Sequence, residues 1–163
     1  MAWDPDSRVA PPPQPGVNGI RYGARAGYLY YTSTAQKVFM RVPVDKASLD
    51  PAGSPEFVAA IDGCDDFCVD EDGGFAYVTR HRGDTLDRVP LQPGHGSEVR
   101  HIVDRPSDLI MVGPTSAVWA GSPGDYGRVF YVITDGGVVA SPDGIVRKSA
   151  LLRAELRPPS YGR

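Results

Sequence analysis

Short runs of β-branched and aromatic residues alternate with glycine- and proline-containing turns along most of the chain. Such runs, a few residues long and bounded by turn residues, are typical of β-strands. No segment keeps the i, i+3, i+4, i+7 spacing of an amphipathic helix over about a dozen positions. The pattern therefore predicts an all-β protein. The predicted strands are Val17–Tyr22, Tyr28–Thr32, Val38–Val44, Phe57–Ile61, Phe67–Asp70, Phe75–Thr79, Leu86–Leu91, Val99–Val103, Ser116–Trp119, Val129–Ile133 and Leu151–Leu156.

A sequence repeat orders these strands. Residues 16–20 return as residues 63–67, and residues 41–44 return as residues 88–91, in both cases after 47 positions and without a gap. A looser third copy begins at Gly113, 50 positions after the glycine that opens the second. Repeats of this length that hold several short strands are typical of β-propeller blades. We predict blades at about residues 16–62, 63–112 and 113–157, with a proline-rich lead-in or partial strand at 1–15 and a C-terminal tail at 158–163.

The first two units hold four predicted strands each, and the third holds three. The last segment, residues 149–157, fits either a strand or one short helix. Its residues 153–156 stand where residues 41–44 stand in the first unit. Because residues 41–44 belong to a predicted strand, we assign the last segment to a strand as well.

Composition and charge exclude several classes of protein. The chain has 19 Gly and 16 Pro, which suits many tight turns better than it suits helices. Its 17 Lys and Arg against 20 Asp and Glu give a net charge of −3 without a basic block, so no nucleic-acid partner is expected. It has neither a run of about 18 apolar residues nor a signal peptide after Met1. We therefore expect no membrane partner and, for the chain as it stands, a cytoplasmic location.

The two cysteines are Cys64 and Cys68. Four residues of a strand rise about 13 Å, roughly twice the Cα separation that a disulfide tolerates, so we predict no disulfide between them. No further cysteine or paired histidine lies near them to complete a zinc site. We expect both to be small, buried or half-buried residues without a redox role.

Three groups of residues follow one another in order and at blade spacing. They are residues 17–20 with 27–32, Asp65 with residues 68–70, and residues 114–116 with 130–134. These groups resemble the SMP-30/gluconolactonase/LRE-like family. The resemblance covers about residues 16–156 and is greatest to fungal members. It implies a six-bladed β-propeller, of which this chain holds about the C-terminal half.

The resemblance also implies a site and a reaction. Family members hold one divalent cation, usually calcium or zinc, at one mouth of the central channel, and their chemistry is metal-dependent hydrolysis of lactones or esters. By motif position, Asn18 and Asp65 match metal ligands, and Asp65 also matches the proposed general base. A further ligand Glu and much of the substrate-binding set belong to the family's N-terminal half. We therefore expect a weak cation site and leave open whether the chain is an active enzyme.

The repeat supports the same site by geometry. The first strand of each propeller blade is innermost, so equivalent positions of successive repeats face the same end of the channel. Asn18, Asp65 and Thr115 are equivalent, each two residues after the glycine of its repeat. Asparagine and aspartate supply the oxygen ligands that hard cations prefer, whereas a threonine hydroxyl is a weak ligand or a hydrogen-bond donor. Two alternatives stay open: Asn18-Gly19 is only a turn dipeptide, or Asp66 is the true ligand because the register differs by one.

Antiparallel order predicts further residues at this mouth. If the first strands begin there, the second strands end there, which places residues 32–34, 80–82 and 134–135 around the opening. Ser33, Arg80, His81 and Thr115 are accordingly candidate contacts for a small-molecule substrate. The basic group at 80–82 suits a carboxylate or phosphate, although a solvated loop is the common alternative.

Other polar residues are assigned to structure and surface. The same antiparallel order puts residues 70–73 at the opposite end of the channel, where we expect a solvated turn rather than a calcium loop, since the rest of an EF-hand pattern is missing. His95 and His101 have no acidic or thiol partner at ligand spacing, so we expect them to be surface residues.

Three functions remain open from the sequence. The first is metal-dependent hydrolysis of a lactone or ester, and the second is a non-hydrolytic cyclisation in fungal secondary metabolism that uses the same channel. The third is a catalytically inactive half-propeller, either a truncated product or an interaction module. Three blades leave open sheet edges, which favour pairing with another chain. Because two copies would supply six blades, a homodimer is also expected.

Overall fold

The computed structural model describes residues 16–94, 99–103, 109–122 and 124–156. The predicted lead-in at 1–15, the tail at 158–163 and His95 lie outside these ranges. No helix in the ranges described is long and apolar enough to span a bilayer. The strands are β1 (Val17–Gly23), β2 (Tyr28–Ser33), β3 (Val38–Pro43), β4 (Glu56–Ala60), β5 (Cys64–Asp70), β6 (Phe75–Arg80), β7 (Thr85–Pro90), β8 (Arg100–Val103), β9 (Pro114–Trp119), β10 (Val129–Thr134) and β11 (Ala150–Glu155), with one 3-10 turn at His81–Gly83 between β6 and β7.

The strands form three antiparallel sheets, which confirms the predicted all-β propeller class. The first sheet has the order β1-β2-β3-β4, the second β5-β6-β7-β8, and the third β9-β10-β11. The ambiguous segment at 149–157 contains strand β11, as predicted. The first strands of neighbouring sheets contact each other, β1 with β5 and β5 with β9. The sheets therefore stack like successive blades around an axis beside their first strands.

The sequence repeat is also a repeat of register. Tyr28 pairs with Pro43 across β2 and β3, and Phe75 pairs with Pro90 across β6 and β7, 47 positions later. Both β1 and β5 carry an irregularity between their first and fourth residues. Because side chains alternate between the two faces of a strand, this shared register puts equivalent residues of the two sheets on equivalent faces.

Two apolar clusters fill the joints between sheets. Between the first and second sheets, Phe39 and Phe67 meet edge to face with ring centroids 5.0 Å apart. Between the second and third sheets, Tyr77 stacks on Phe130 at 5.8 Å. Aromatic pairs in these geometries add about 0.5–1.5 kcal/mol beyond the burial of their area. The core of the molecule thus lies between the sheets and holds the first strands side by side.

Hydrogen bonds link the sheets near their first strands. Thr32 donates its hydroxyl to the Asp65 carbonyl at 2.5 Å, and Thr34 donates to the Cys64 carbonyl at 2.8 Å. In the next joint, the Gly113 amide donates to Asp84 Oδ1 at 2.9 Å. The first two bonds hold the backbone of β5 against the end of β2, and the third holds the backbone before β9 against Asp84 of the second sheet.

The turn at residues 70–73 is partly solvated as expected, because Asp72 and Gly73 are exposed, but its other residues are bonded within the protein. Asp70 is only 7% exposed and accepts a hydrogen bond from the Gly73 amide at 2.8 Å. Glu71 accepts one from the Ala26 amide at 2.9 Å, and Asp72 pairs with Arg25. Glu71 and Asp72 therefore dock the second sheet onto the β1–β2 turn of the first, whereas Asp70 is bonded within its own turn.

The cysteines behave as predicted. Cys64 and Cys68 are free and buried. Burial raises the pKa of each thiol to about 12, so both stay protonated at neutral pH.

Candidate functional site

A cavity of about 500 Å³ opens where β1 and β5 begin and β2 and β6 end. It is lined by two side chains from the first strands, Asn18 and Asp65, and by Thr34 and His81 from the ends of the second strands. This is the arrangement expected from antiparallel order. The cavity is therefore the candidate functional site.

Four of the six predicted site residues line the cavity: Asn18, Asp65, Arg80 and His81. Ser33 is completely buried and is not part of the lining. Thr115 also lies outside the lining, and its hydroxyl donates a long hydrogen bond of 3.5 Å to the Ile133 carbonyl. For all six residues, the functional role stays a prediction.

Asn18 is oriented by its neighbours. Its amide nitrogen donates to Thr34 Oγ1 at 3.1 Å, and Thr34 in turn donates to the Cys64 carbonyl. The Asn18 side chain also hydrogen-bonds the Asp65 carboxylate. Asn18 and Gly19 belong to strand β1, so the alternative that they form only a turn is wrong.

Asp65 is a half-buried carboxylate. Burial raises its pKa above the ordinary range, and the charges of Asp66 and Asp135 act in the same direction. The electrostatic interaction with His81 and the hydrogen bond from Asn18 lower the Asp65 pKa without cancelling the rise. A carboxylate of raised pKa accepts a proton more readily than an ordinary aspartate, which suits a general base.

His81 is held against the third sheet by Asp135. Its Nε2 lies 2.8 Å from Asp135 Oδ2, and Asp135 Oδ1 accepts the Gly137 amide at 2.7 Å. Burial alone would raise the pKa of Asp135, but the hydrogen bonds from His81 and Gly137 outweigh burial and hold the pKa below its ordinary value. Residue 135 was placed near this opening by antiparallel order, but its bond to His81 was not foreseen.

The rest of the basic group is divided between structure and solvent. Arg80 Nε donates a hydrogen bond to the Asp62 carbonyl at 2.7 Å, and Arg80 Nη1 lies 3.6 Å from Asp87 Oδ2. Arg82 is exposed at the cavity rim. Arg80 therefore supports the second sheet, whereas Arg82 faces solvent beside the cavity.

Asp87 was missed by sequence reasoning. Its side chain is 2% exposed and accepts a hydrogen bond from His101 Nδ1 at 2.5 Å. His101 is exposed at the surface, as expected, but it does have an acidic partner. Asp87 and His101 are opposite residues of β7 and β8. Their contact depends on strand register, which spacing along the chain does not reveal.

One carboxylate oxygen of Asp66, the alternative ligand, is occupied by structural bonds. Its Oδ2 accepts Arg21 from β1 and Ser116 from β9, both at 2.6 Å. A methyl group on Gly19 would lie 2.8 Å from the Asp66 Cα, so glycine is needed there for close packing. Asp66 thus ties the first strands of all three sheets together.

The described residues supply only part of the ligand set that the cation implied by the family resemblance would need. Within the ranges described, no group of three or more His, Cys, Asp or Glu side chains is placed to hold a metal ion. Asn18 and Asp65 alone fall well short of the about six to eight oxygens that calcium takes, and the Asn18 amide hydrogen-bonds the Asp65 carboxylate. These residues do not form a complete cation site.

The His81–Asp135 bond predicts a pH-dependent stability. Because the pKa of Asp135 is lower in the folded chain than in the unfolded one, its contribution is complete above the ordinary carboxyl pKa of about 3.9 and is lost as the pH falls through the lowered value. Asp135→Asn should therefore lower the free energy of unfolding by about 1 kcal/mol at neutral pH and by less in acid. Urea unfolding at several pH values measures this difference. Asp50→Asn, in an exposed turn, should match the wild type throughout, and an equal loss for Asp135→Asn at every pH would contradict the prediction.

Solved structures of known proteins share the fold of this chain. No protein-family model and no curated protein sequence matches the chain. A luciferin-regenerating enzyme matches with a TM-score of 0.64 and 14% identity, over 84% of this chain and 44% of that one. The calcium-binding protein regucalcin from Agrobacterium tumefaciens matches with a TM-score of 0.55 and 20% identity, over 78% of this chain and 40% of that one. A chain of the nidogen/laminin complex matches with a TM-score of 0.57 and 14% identity, over 75% of this chain and 41% of that one.

The chain spans less than half the length of each of these structures. At such identities the matches establish the fold and not the activity, and none of them supports the predicted closeness to fungal members. The chain has a β-propeller fold similar to the folds of the luciferin-regenerating enzyme and regucalcin.

Proposed function

We propose that the cavity at the channel mouth binds a lactone or ester and hydrolyses it with Asp65 as the general base. The observation that carries this proposal is that Asp65 and the Asp135-bound His81 border one cavity of about 500 Å³. The likeness to the luciferin-regenerating enzyme and to regucalcin supports it at the level of the fold.

The residues would share the reaction as follows. Asp65 takes a proton from a water whose oxygen bonds to the carbonyl carbon, the bond from that carbon to the ring or alkoxy oxygen breaks, and Asp65 returns the proton to the leaving oxygen. His81, held by Asp135, lies beside the cavity where negative charge develops on the carbonyl oxygen. A positively charged ring there would stabilise the transition state.

The charges at the cavity favour an anionic substrate. Lys37, Arg80 and Arg82 belong to the lining together with His81. Lys37 is paired with Asp62 at 3.0 Å and Arg80 is bonded within the fold, which leaves the exposed Arg82 best placed to contact a carboxylate or phosphate. A substrate that carries such a group away from its reacting carbonyl fits this distribution.

A divalent cation, calcium or zinc, belongs to this proposal only as a weakly held ion. Asn18 and Asp65 are the ligands that the chain offers for it, and the likeness of the fold to that of a calcium-binding protein is consistent with a divalent cation. The proton transfers described above do not depend on it. In calorimetry we expect weak binding of calcium that Asp65→Asn removes.

Hydrolysis of a panel of lactones and aryl esters, with and without an added carboxylate group, tests the proposal. We expect Asp65→Asn to lower kcat/KM at least about a hundredfold, which is the usual contribution of a general base. Asp45→Asn makes the same chemical change in an exposed turn outside the cavity and should leave the rate unchanged. An inactive wild type, or equal rates for the wild type and Asp65→Asn, would contradict the proposal.

A catalytically inactive interaction module is the second candidate. It is favoured by the incomplete cation site among the residues described and by apolar side chains exposed on the outer sheets. A wild type that hydrolyses none of the panel and binds no calcium would favour this function.

A further inference from the structure

We propose that the outer faces of the first and third sheets bind a second copy of this chain, the third sheet of one copy packing on the first sheet of the other. Each of these sheets has one face packed against the second sheet and one face turned outward. Exposed apolar patches on a folded protein mark interaction surfaces. The internal repeat identifies the partner that these two faces fit.

The joint between the first two sheets supplies the template. Phe39 of β3 and Phe67 of β5 are both 0% exposed, and their rings meet at 5.0 Å. One half of this contact thus lies on the third strand of a sheet, and the other half lies on the first strand of the sheet that follows. The positions equivalent to these two residues can be found on the outer faces.

The third sheet aligns with the others through a repeated cross-strand pair. In every sheet a tyrosine of the second strand lies opposite an arginine of the third strand. Because side chains alternate along a strand, the residue two positions before that arginine lies on the same face of the sheet as the arginine. The pairs are Tyr30 with Arg41, Tyr77 with Arg88 and Tyr131 with Arg153.

The residue two positions before the arginine is Phe39 in the first sheet, Leu86 in the second and Leu151 in the third. Phe39 and Leu86 are each 0% exposed because the following sheet covers them. Leu151 is 69% exposed, and Val118 and Ile133 on the same face are 57% and 46% exposed. The outer face of the third sheet therefore has the apolar surface of a joint without the sheet that completes it.

The first sheet carries the other half of such a joint. Ile20 is the repeat equivalent of Phe67, 47 positions earlier, and it is 51% exposed. Tyr22 and Phe57 lie on the same face and are 43% and 52% exposed. Tyr31 and Val42 of this face are already buried, so the open part is formed by Ile20, Tyr22 and Phe57. Ile20 of one copy would meet Leu151 of the other as Phe67 meets Phe39.

A second copy is the partner that satisfies both faces. Each copy carries one half of the joint at each end, so two copies cover all four outer faces and close the assembly. The result has six sheets, within the about four to eight blades of known propellers. The rotation that relates the copies brings the Asn18 and Asp65 of both to the same end of the channel, which adds oxygen ligands to the candidate site.

Light scattering on the full chain tests this inference. We expect a mass of about 35 kDa at micromolar concentration, twice the 17.5 kDa of one chain. Leu151→Glu should yield monomers because the new carboxylate would be buried at the joint. Ile145→Glu, at an apolar residue of similar exposure, 61%, in a loop, should remain dimeric.

A charge exchange identifies the two faces. Ile20→Lys alone should also be monomeric, and mixing it with Leu151→Glu should restore the dimer, because each mixed pair has one native joint and one Glu–Lys joint. Near-ultraviolet circular dichroism verifies that each variant is folded. The inference is overturned by a monomeric wild type, by a dimeric Leu151→Glu, by an open-ended polymer, or by a mixture that stays monomeric.

Discussion

Phe67→Ala should lower the free energy of unfolding by about 3–5 kcal/mol, the usual cost of removing a fully buried phenylalanine. Phe67 is 0% exposed, meets Phe39 edge to face, and lies beneath the Arg21 guanidinium, 5.7 Å from the ring centroid. Removing the ring leaves a cavity in the joint between the first and second sheets. Asp65 is two residues away on the same strand, so the loss should also disturb the candidate site.

Urea unfolding followed by circular dichroism measures this change. Ile145→Ala is the matched control, because Ile145 is exposed and its truncation should change stability by less than about 0.5 kcal/mol. A loss below about 1 kcal/mol for Phe67→Ala would mean that the joint is not the core of the fold.

Gly113→Ala should lower the free energy of unfolding by about 3 kcal/mol. Gly113 has a φ of 65°, a left-handed conformation that costs a residue with a side chain about 1–2 kcal/mol. The added methyl group would also lie 2.9 Å from the Asp135 Cγ and 3.1 Å from the Gly137 amide nitrogen. Asp135 must then move, and its hydrogen bonds to His81 and Gly137 are lost.

Gly74→Ala separates the two causes. Gly74 has a similar φ of 76°, and nothing lies within 4 Å of the position that its methyl group would take. Gly74→Ala should lower the free energy of unfolding only by the cost of the left-handed backbone conformation, about 1 kcal/mol. In addition, Gly113→Ala should abolish the stability difference that Asp135→Asn causes at neutral pH, since Asp135 no longer holds His81. Equal losses for the two glycine variants would contradict this account.

Much of the fold could be predicted because it depends on local sequence. Runs of β-branched and aromatic residues between turns predicted all eleven described strands, most of them to within a residue or two at each end. The 47-residue repeat carried more information, since Tyr28 with Pro43 and Phe75 with Pro90 keep one register. Antiparallel order then brought Asn18, Asp65 and His81 to one cavity.

The candidate site was predicted less completely. Ser33 and Thr115 were expected at the mouth on the same reasoning, yet one is buried and the other bonds to the backbone. A register irregularity near the start of β1, β5 and β9 changes locally which side chains lie on which face of the sheet. The sequence repeat does not show the direction of this change.

What the sequence determined by itself is the set of strands, their pairing into sheets and the end of the channel at which Asn18 and Asp65 lie, because these follow from residue type, periodicity and the repeat. Only the tertiary structure decided which polar groups meet: His81 with Asp135, His101 with Asp87, and Asp66 with both Arg21 and Ser116. Three of these four bonds cross from one sheet to another, and the fourth, between His101 and Asp87, joins two neighbouring strands of one sheet. Such contacts depend on register and on the packing of whole sheets, which no local pattern of residues specifies.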